Sequence, residues 1–188
     1  HDECHSIINK TTTEFYKYII NKFPSIKCLG FSATPHLKIK PYDNLISKYT
    51  IYDAFVDNVI VQPKIKFVKS KQILQDNDFL ELCKKLIKPL PYKKIIVWCG
   101  IIDKCNELAK LWKTNFPDFL VIKDTSKEKT NYYHNYLNKN EKAIMFCACK
   151  HREGSDIKNL DCCIFLDGVH DRSDSTFIQC IGRVLRID

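Results

Sequence analysis

The chain has 188 residues, 45% of them hydrophobic, enough to bury a core in one large domain or one and a half small ones. No run approaches the roughly 20 apolar residues of a membrane span, and the start, His1-Asp2-Glu3-Cys4-His5, has neither the basic head nor the apolar stretch of a secretory signal. A net charge of +8 favours an anionic partner such as nucleic acid.

In chain order, Thr11 and Glu14 have the spacing of a capping box, and Phe15, Tyr18, Ile19 and Phe23 follow at helical period until Pro24 ends the helix. Ile26 to Phe31 reads as a short strand running into Ser32-Ala33-Thr34-Pro35. A short helix is expected around Asp53 to Asp57, a connector at Val59 to Pro63 and a strand from Ile65 to Val68. From there helices and strands alternate. Helices are predicted over 77–88 (Phe79, Leu82, Cys83, Leu86 and Ile87 on one face), 103–116 (presenting Leu108, Leu111 and Trp112), 130–137 and 174–185. Strands are predicted over 94–99, 119–122, 143–149 and 162–166. Strands that are apolar throughout, alternating with helices, imply an α/β fold with a parallel sheet covered on both sides.

Ten cysteines in a short secreted chain suggest disulfides, but here they sit in apolar runs such as Ile144 to Cys149, the pattern of buried thiols in a reducing, intracellular compartment. No Cys-x-x-Cys pair exists. Adjacent strand residues point to opposite faces, so Cys162 and Cys163 are poor joint ligands for zinc. His36, His134, His151 and His170 have no partner at metal-ligand spacing, and Asp167, His170 and Asp171, in a predicted loop before the last helix, read as solvated loop polars. Of thirty basic residues only four are arginine, namely Arg152, Arg172, Arg183 and Arg186. A chain that uses lysine almost everywhere keeps arginine mainly where the rigid five-donor fork matters.

Four segments carry chemistry. Adjacent carboxylates such as Asp2 and Glu3 suit nucleotide hydrolysis, one holding Mg²⁺ through water and the other orienting the attacking water. Ser32-Ala33-Thr34 follows about thirty residues on. Arg152-Glu153-Gly154-Ser155-Asp156-Ile157 comes after the apolar run ending near Cys149. Gln179-Cys180-Ile181-Gly182-Arg183-Val184-Leu185-Arg186 falls on the predicted last helix, where two forks three residues apart share one face and match phosphate oxygens.

In order and spacing these segments resemble motifs II, III, V and VI of the superfamily 2 helicases, in the DExH branch, and the run from Lys94 to Cys99 resembles motif IV. The resemblance spans nearly the whole chain. It implies ATP and Mg²⁺ as cofactors, with Asp2 on the metal, Glu3 activating water, and Arg183 and Arg186 at the γ-phosphate together with Gln179. His5, Ser32 and Thr34 are then expected to couple the nucleotide to the nucleic-acid track, Gly154 and Asp156 to approach the ribose, and Lys150 or Lys158 to meet nucleic-acid phosphates. It also implies a RecA-like parallel sheet over residues 61–188, preceded in 1–60 by the C-terminal remainder of a first RecA-like domain.

The Gly-Arg-Val-Leu-Arg form is similar to that of DNA-directed motors, so DNA is expected as the track ahead of RNA. The rival expectation is a non-hydrolysing nucleic-acid-binding module with relic motor motifs. Two departures stand out. Ala148 falls where motif V usually carries a phosphate-contacting Thr. None of the five glycines is followed by Lys, so this chain holds no Gly-Lys-Ser/Thr phosphate cradle. With that gap and no initiator Met, the chain is expected to be a piece of a longer protein, inactive alone.

Overall fold

The computed structural model describes residues 1–2, 4, 7, 9–33, 41–42, 44–68, 75–87, 92–128, 141–151, 155, 157–166 and 174–187, the side chains of 174 and 175 excepted. The chain divides into two compact units, His1–Ala54 and Phe55–Asp188.

In the first unit, α1 spans Lys10–Lys22. It begins one residue before the predicted capping box: Asn9 stands at the cap and makes no side-chain cap bond. Thr13 instead turns its hydroxyl back to the Asn9 carbonyl, 3.1 Å away. The helix stops at Phe23, as Pro24 requires. The strand expected at 26–31 does not form. Among the described residues the segment is tied by Phe31 N–H donating to the His1 carbonyl and Cys4 N–H donating to the Phe31 carbonyl, each at 2.9 Å, and by the His1 amino group donating to the Leu29 carbonyl at 2.8 Å. The approach is close at Gly30, where a Cβ would stand 2.8 Å from the Tyr42 ring and 2.9 Å from Cys4 Cβ.

Helix α2 (Ile51–Val56) carries the capping box that was expected in α1. Thr50 N–H donates to Asp53 Oδ2 at 2.7 Å, and Asp53 N–H donates to Thr50 Oγ1 at 3.1 Å. The hydrogen bonds from Thr50 hold the Asp53 carboxyl below its ordinary range.

The second unit is built on a four-stranded parallel sheet of β1 (Lys94–Trp98), β2 (Leu120–Lys123), β3 (Ala143–Cys147) and β4 (Cys162–Phe165), in the order β2-β3-β1-β4. Register is set by Lys94 opposite Ala143 and Trp98 opposite Cys147, with Ile95 opposite Cys162 and Leu120 opposite Ala143. β1 and β3 are buried along their whole length, which is why both read as uninterrupted apolar runs.

Alternate residues feed two cores. Ile95, Val97, Ile144 and Phe146 pack with Leu80, Cys83 and Ile87 of α3 (Asp76–Ile87) and with Cys105, Leu108 and Trp112 of α4 (Ile102–Asn115). Ile96, Trp98, Met145 and Cys147 pack on the other side with Ile157, Leu160 and Cys180, the last from α5 (Asp174–Ile181). Cys162 and Cys163 face opposite cores, as strand alternation requires. The fold is therefore α/β of the RecA-like kind, with helices on a parallel sheet.

Three expectations need correction here. The run 65–68 forms no strand: Ile65, Phe67 and Val68 are each more than half exposed, so no burial favours a ladder. The segment read as a plain connector pairs with the end of the chain, through a bridge from Ile60 to Arg186 and a 2.9 Å bond from Val61 N–H to the Leu185 carbonyl. The last helix ends at Ile181, not Leu185, and tight turns follow, with Arg183 N–H on the Cys180 carbonyl and Val184 N–H on the Ile181 carbonyl. Arg183 and Arg186 thus do not share a helical face. The predicted helix at 130–137 lies outside the described residues.

Candidate nucleotide and nucleic-acid site

Parallel strands bring their carboxyl ends to one edge of the sheet, and in open α/β sheets ligands bind there. At that edge β2 delivers Asp124, β3 delivers Lys150 and His151, and β1 ends at Trp98. The Trp98 indole N–H reaches the Lys150 carbonyl at 3.2 Å.

Asp124 is the centre of this edge. It is fully buried, and its two carboxylate oxygens are divided between two neighbours. Oδ1 takes the Lys150 ammonium, and Oδ2 meets His151 Nε2 at 2.8 Å. A buried carboxylate needs such partners, since an unpaired one costs several kcal/mol or more. His151 Nδ1 lies 2.8 Å from Ser155 Oγ.

Because a carboxylate only accepts, the Asp124 contact puts the proton on His151 Nε2, and Nδ1 then accepts from the Ser155 hydroxyl. Burial lowers the His151 pKa below its ordinary value, outweighing the pull of Asp124. The histidine is therefore neutral at pH 7. Its backbone has φ +66°, a left-handed conformation that costs a non-glycine residue roughly 1–2 kcal/mol. Bonds on both ring nitrogens hold it there.

The chain of contacts continues to the end of the protein. Arg183 Nη1 donates to the Ser155 carbonyl at 2.6 Å. One helical turn before it, Gln179 is 92% buried, and neither its amide nitrogen nor its amide oxygen has a hydrogen-bond partner. An orphaned buried amide costs about 1–3 kcal/mol.

Among the residues singled out from the sequence, the structure links Arg183 to the loop after β3 and places Gln179 on α5, four residues before it in the chain. Arg186 is exposed on the bridge to Ile60. Lys150 is committed to Asp124, while Lys158 stands exposed in a turn. In the first unit, Asp2 is exposed and Ser32 half-buried, and their segments are joined through the His1–Phe31 and Cys4–Phe31 backbone bonds. Glu3, His5, Thr34, Gly154 and Asp156 lie outside the described residues. Asp124, His151 and Ser155 were missed in the sequence. The only signal was a carboxylate directly after an apolar strand. No group of three or more metal-ligating side chains occurs among the described residues, and none of their helices is long and apolar enough to cross a membrane.

The carboxyl edge of the parallel sheet thus gathers Lys150 on Asp124 and Arg183 on the loop after β3. The model of the helicase conserved C-terminal domain matches residues 78–188, and the chain belongs to that family, the C-terminal domain of the superfamily 2 motor core. No curated protein and no solved structure matches the chain.

Proposed function

We propose that this chain supplies the second half of the motor of an ATP-dependent helicase or translocase of the DExH type, acting on DNA. In that reading residues 1–60 are the remainder of a first RecA-like domain and 61–188 are the second. The observation that carries it is the orphaned amide of Gln179, in the segment that also holds Arg183. A polar ligand that completes it is one reason for a protein to keep an unsatisfied buried amide. The donor set suits a triphosphate: a guanidinium fork for the anionic oxygens and an amide that both donates and accepts.

When bound, ATP with Mg²⁺ supplies the phosphoryl group whose transfer drives the motor. Arg183, Arg186 and Gln179 would face its γ-phosphate, and Asp2 and Glu3 would hold the metal and orient water. The 188 residues alone should not turn over ATP, since backbone amides and a lysine in a phosphate cradle carry much of the phosphate affinity of such motors.

The test is made in the motor chain that carries both this segment and a cradle. Gln179→Met keeps volume and removes the orphan, so the protein should become no less stable while ATPase activity falls at least about tenfold. Unchanged turnover in a correctly folded variant overturns the role of Gln179. ATPase stimulation by single-stranded DNA, duplex DNA and RNA, compared side by side, tests the track. No stimulated turnover at all in the parent chain would favour the non-hydrolysing module.

A further inference from the structure

We propose that His151 is a positioning residue for hydrolysis, acting on Arg183 through Ser155, an inference that rests on the assignment of Arg183 to ATP. The geometry is a continuous relay. Asp124 Oδ2 fixes the tautomer of His151 at 2.8 Å, His151 Nδ1 accepts from the Ser155 hydroxyl at 2.8 Å, and the Ser155 carbonyl receives Arg183 at 2.6 Å. Each link is short, and the first is fully buried.

An arginine that must meet a phosphate at transition-state distance gains from a fixed rest position, because reorganisation then costs little at the moment of reaction. The strained φ of His151 fits this role. A residue bearing that conformation is held by its surroundings, and such residues cluster where geometry matters.

The relay is sensitive to one proton. His151 is faced by Asp124 from the end of β2, by Lys150 from its own loop, and by Arg183 from the turn after α5. Protonation puts a second N–H on the ring, at Nδ1. That N–H confronts the Ser155 hydroxyl, whose own proton must rotate away. It also adds positive charge beside Lys150 and Arg183. Because the folded histidine titrates below its ordinary value of 6.5, the relay is intact at neutral pH and is lost in acid.

The experiment uses the cradle-bearing motor chain and two variants. His151→Gln can still donate to Asp124 from the position of Nε2 but offers nothing at Nδ1. Ser155→Ala removes only the hydroxyl. Each should lower kcat about tenfold to a hundredfold, with KM for ATP changed less than about threefold. The acid limb of kcat below pH 6.5 should vanish in His151→Gln. In an Arg183→Lys background, both changes should have almost no further effect, as expected for residues acting through one arginine. Losses that multiply fully in that background, or an acid limb that survives in His151→Gln, overturn the proposal. If His151→Gln fails to fold, Ser155→Ala decides alone, and a wild-type rate overturns it. Should Arg183→Lys itself turn over at the parent rate, the failure belongs to the assignment of Arg183.

Discussion

The indole N–H of Trp98, the last residue of β1, donates to the carbonyl of Lys150, the residue that pairs with buried Asp124. A core side chain thereby fixes the loop that carries the site. Trp98 is also stacked on Phe165, ring centroids 5.2 Å apart. Trp98→Phe should keep the stack and lose the hydrogen bond, costing about 1–3 kcal/mol for the carbonyl left unpaired. Trp98→Ala should cost about 3–5 kcal/mol, since it also opens a cavity. Denaturant unfolding measures both. An undiminished stability in Trp98→Phe would mean that the N–H contributes nothing.

Trp112 offers the opposite case. It is fully buried in α4 and meets Phe146 edge-on at 5.1 Å, with planes at 89°. Its indole N–H has no partner. Trp112→Phe removes the orphan along with part of the packing, so we expect a loss smaller than the roughly 3–5 kcal/mol of Trp112→Ala by at least about 1 kcal/mol. Thermal or denaturant unfolding checks the difference. Indistinguishable losses would show that a Phe ring recovers none of the packing that Trp112→Ala removes.

The same two tryptophans mark what could be read in advance. β1, β3 and α4 were legible because their period alone dictates burial: Ile95 to Trp98 can only be a doubly covered strand, and Leu108 and Trp112 fall one turn apart. The end of α5 was not. Val184 and Leu185 continue the apolar period of the helix, and only the turn bonds of Arg183 and Val184 stop it. The relay from Asp124 to His151 joins residues 27 positions apart. No local pattern predicts such a meeting, because strand order, not spacing, brings the two loops together.

The ten cysteines should react in an order set by burial. All are free thiols, and Cys149 is exposed. Burial pushes Cys83 and Cys162 each up to about 12. A thiol titrating that high is almost wholly protonated at pH 8, and only the thiolate attacks an alkylating agent. Iodoacetamide at pH 8 should therefore modify Cys149 early and leave Cys83 and Cys162 until the protein unfolds. Mass mapping of a time course tests this, and early labelling of Cys83 would contradict it.

The two lysines proposed for nucleic acid should behave differently. Lys150 is held by Asp124, whereas Lys158 is exposed. If Lys158 meets a phosphate, Lys158→Ala should lower the dependence of log affinity on log salt by about 0.7–0.9. Lys150→Ala strips a partner from a buried carboxylate, so its first effect should be destabilisation of the fold. Binding titrations at several salt concentrations, with unfolding curves beside them, separate the cases. A full one-phosphate change in slope for Lys150→Ala, with stability intact, would reverse the assignment.

The arginines provide the sharpest test. In a chain with twenty-six lysines, arginine stands at both 183 and 186. Lysine keeps the charge but loses the fork, so it cannot bridge two phosphate oxygens. A catalytic arginine at the γ-phosphate is worth on the order of 10³ to 10⁵ in rate, roughly 4 to 7 kcal/mol. Since the retained charge recovers part of this, Arg183→Lys or Arg186→Lys, or both, should lose at least about a hundredfold in kcat in the cradle-bearing chain. Nucleic-acid binding should be largely preserved. The structure adds a distinction between them: Arg183 is half-buried and bonded to Ser155, while Arg186 is exposed beside Ile60. Exposed charge swaps without a function usually matter by under about 0.5 kcal/mol. The functional and the bland readings thus differ by orders of magnitude, and one steady-state assay decides. If both lysine variants turn over ATP within about threefold of the parent, a change worth under about 0.7 kcal/mol, neither arginine serves the γ-phosphate.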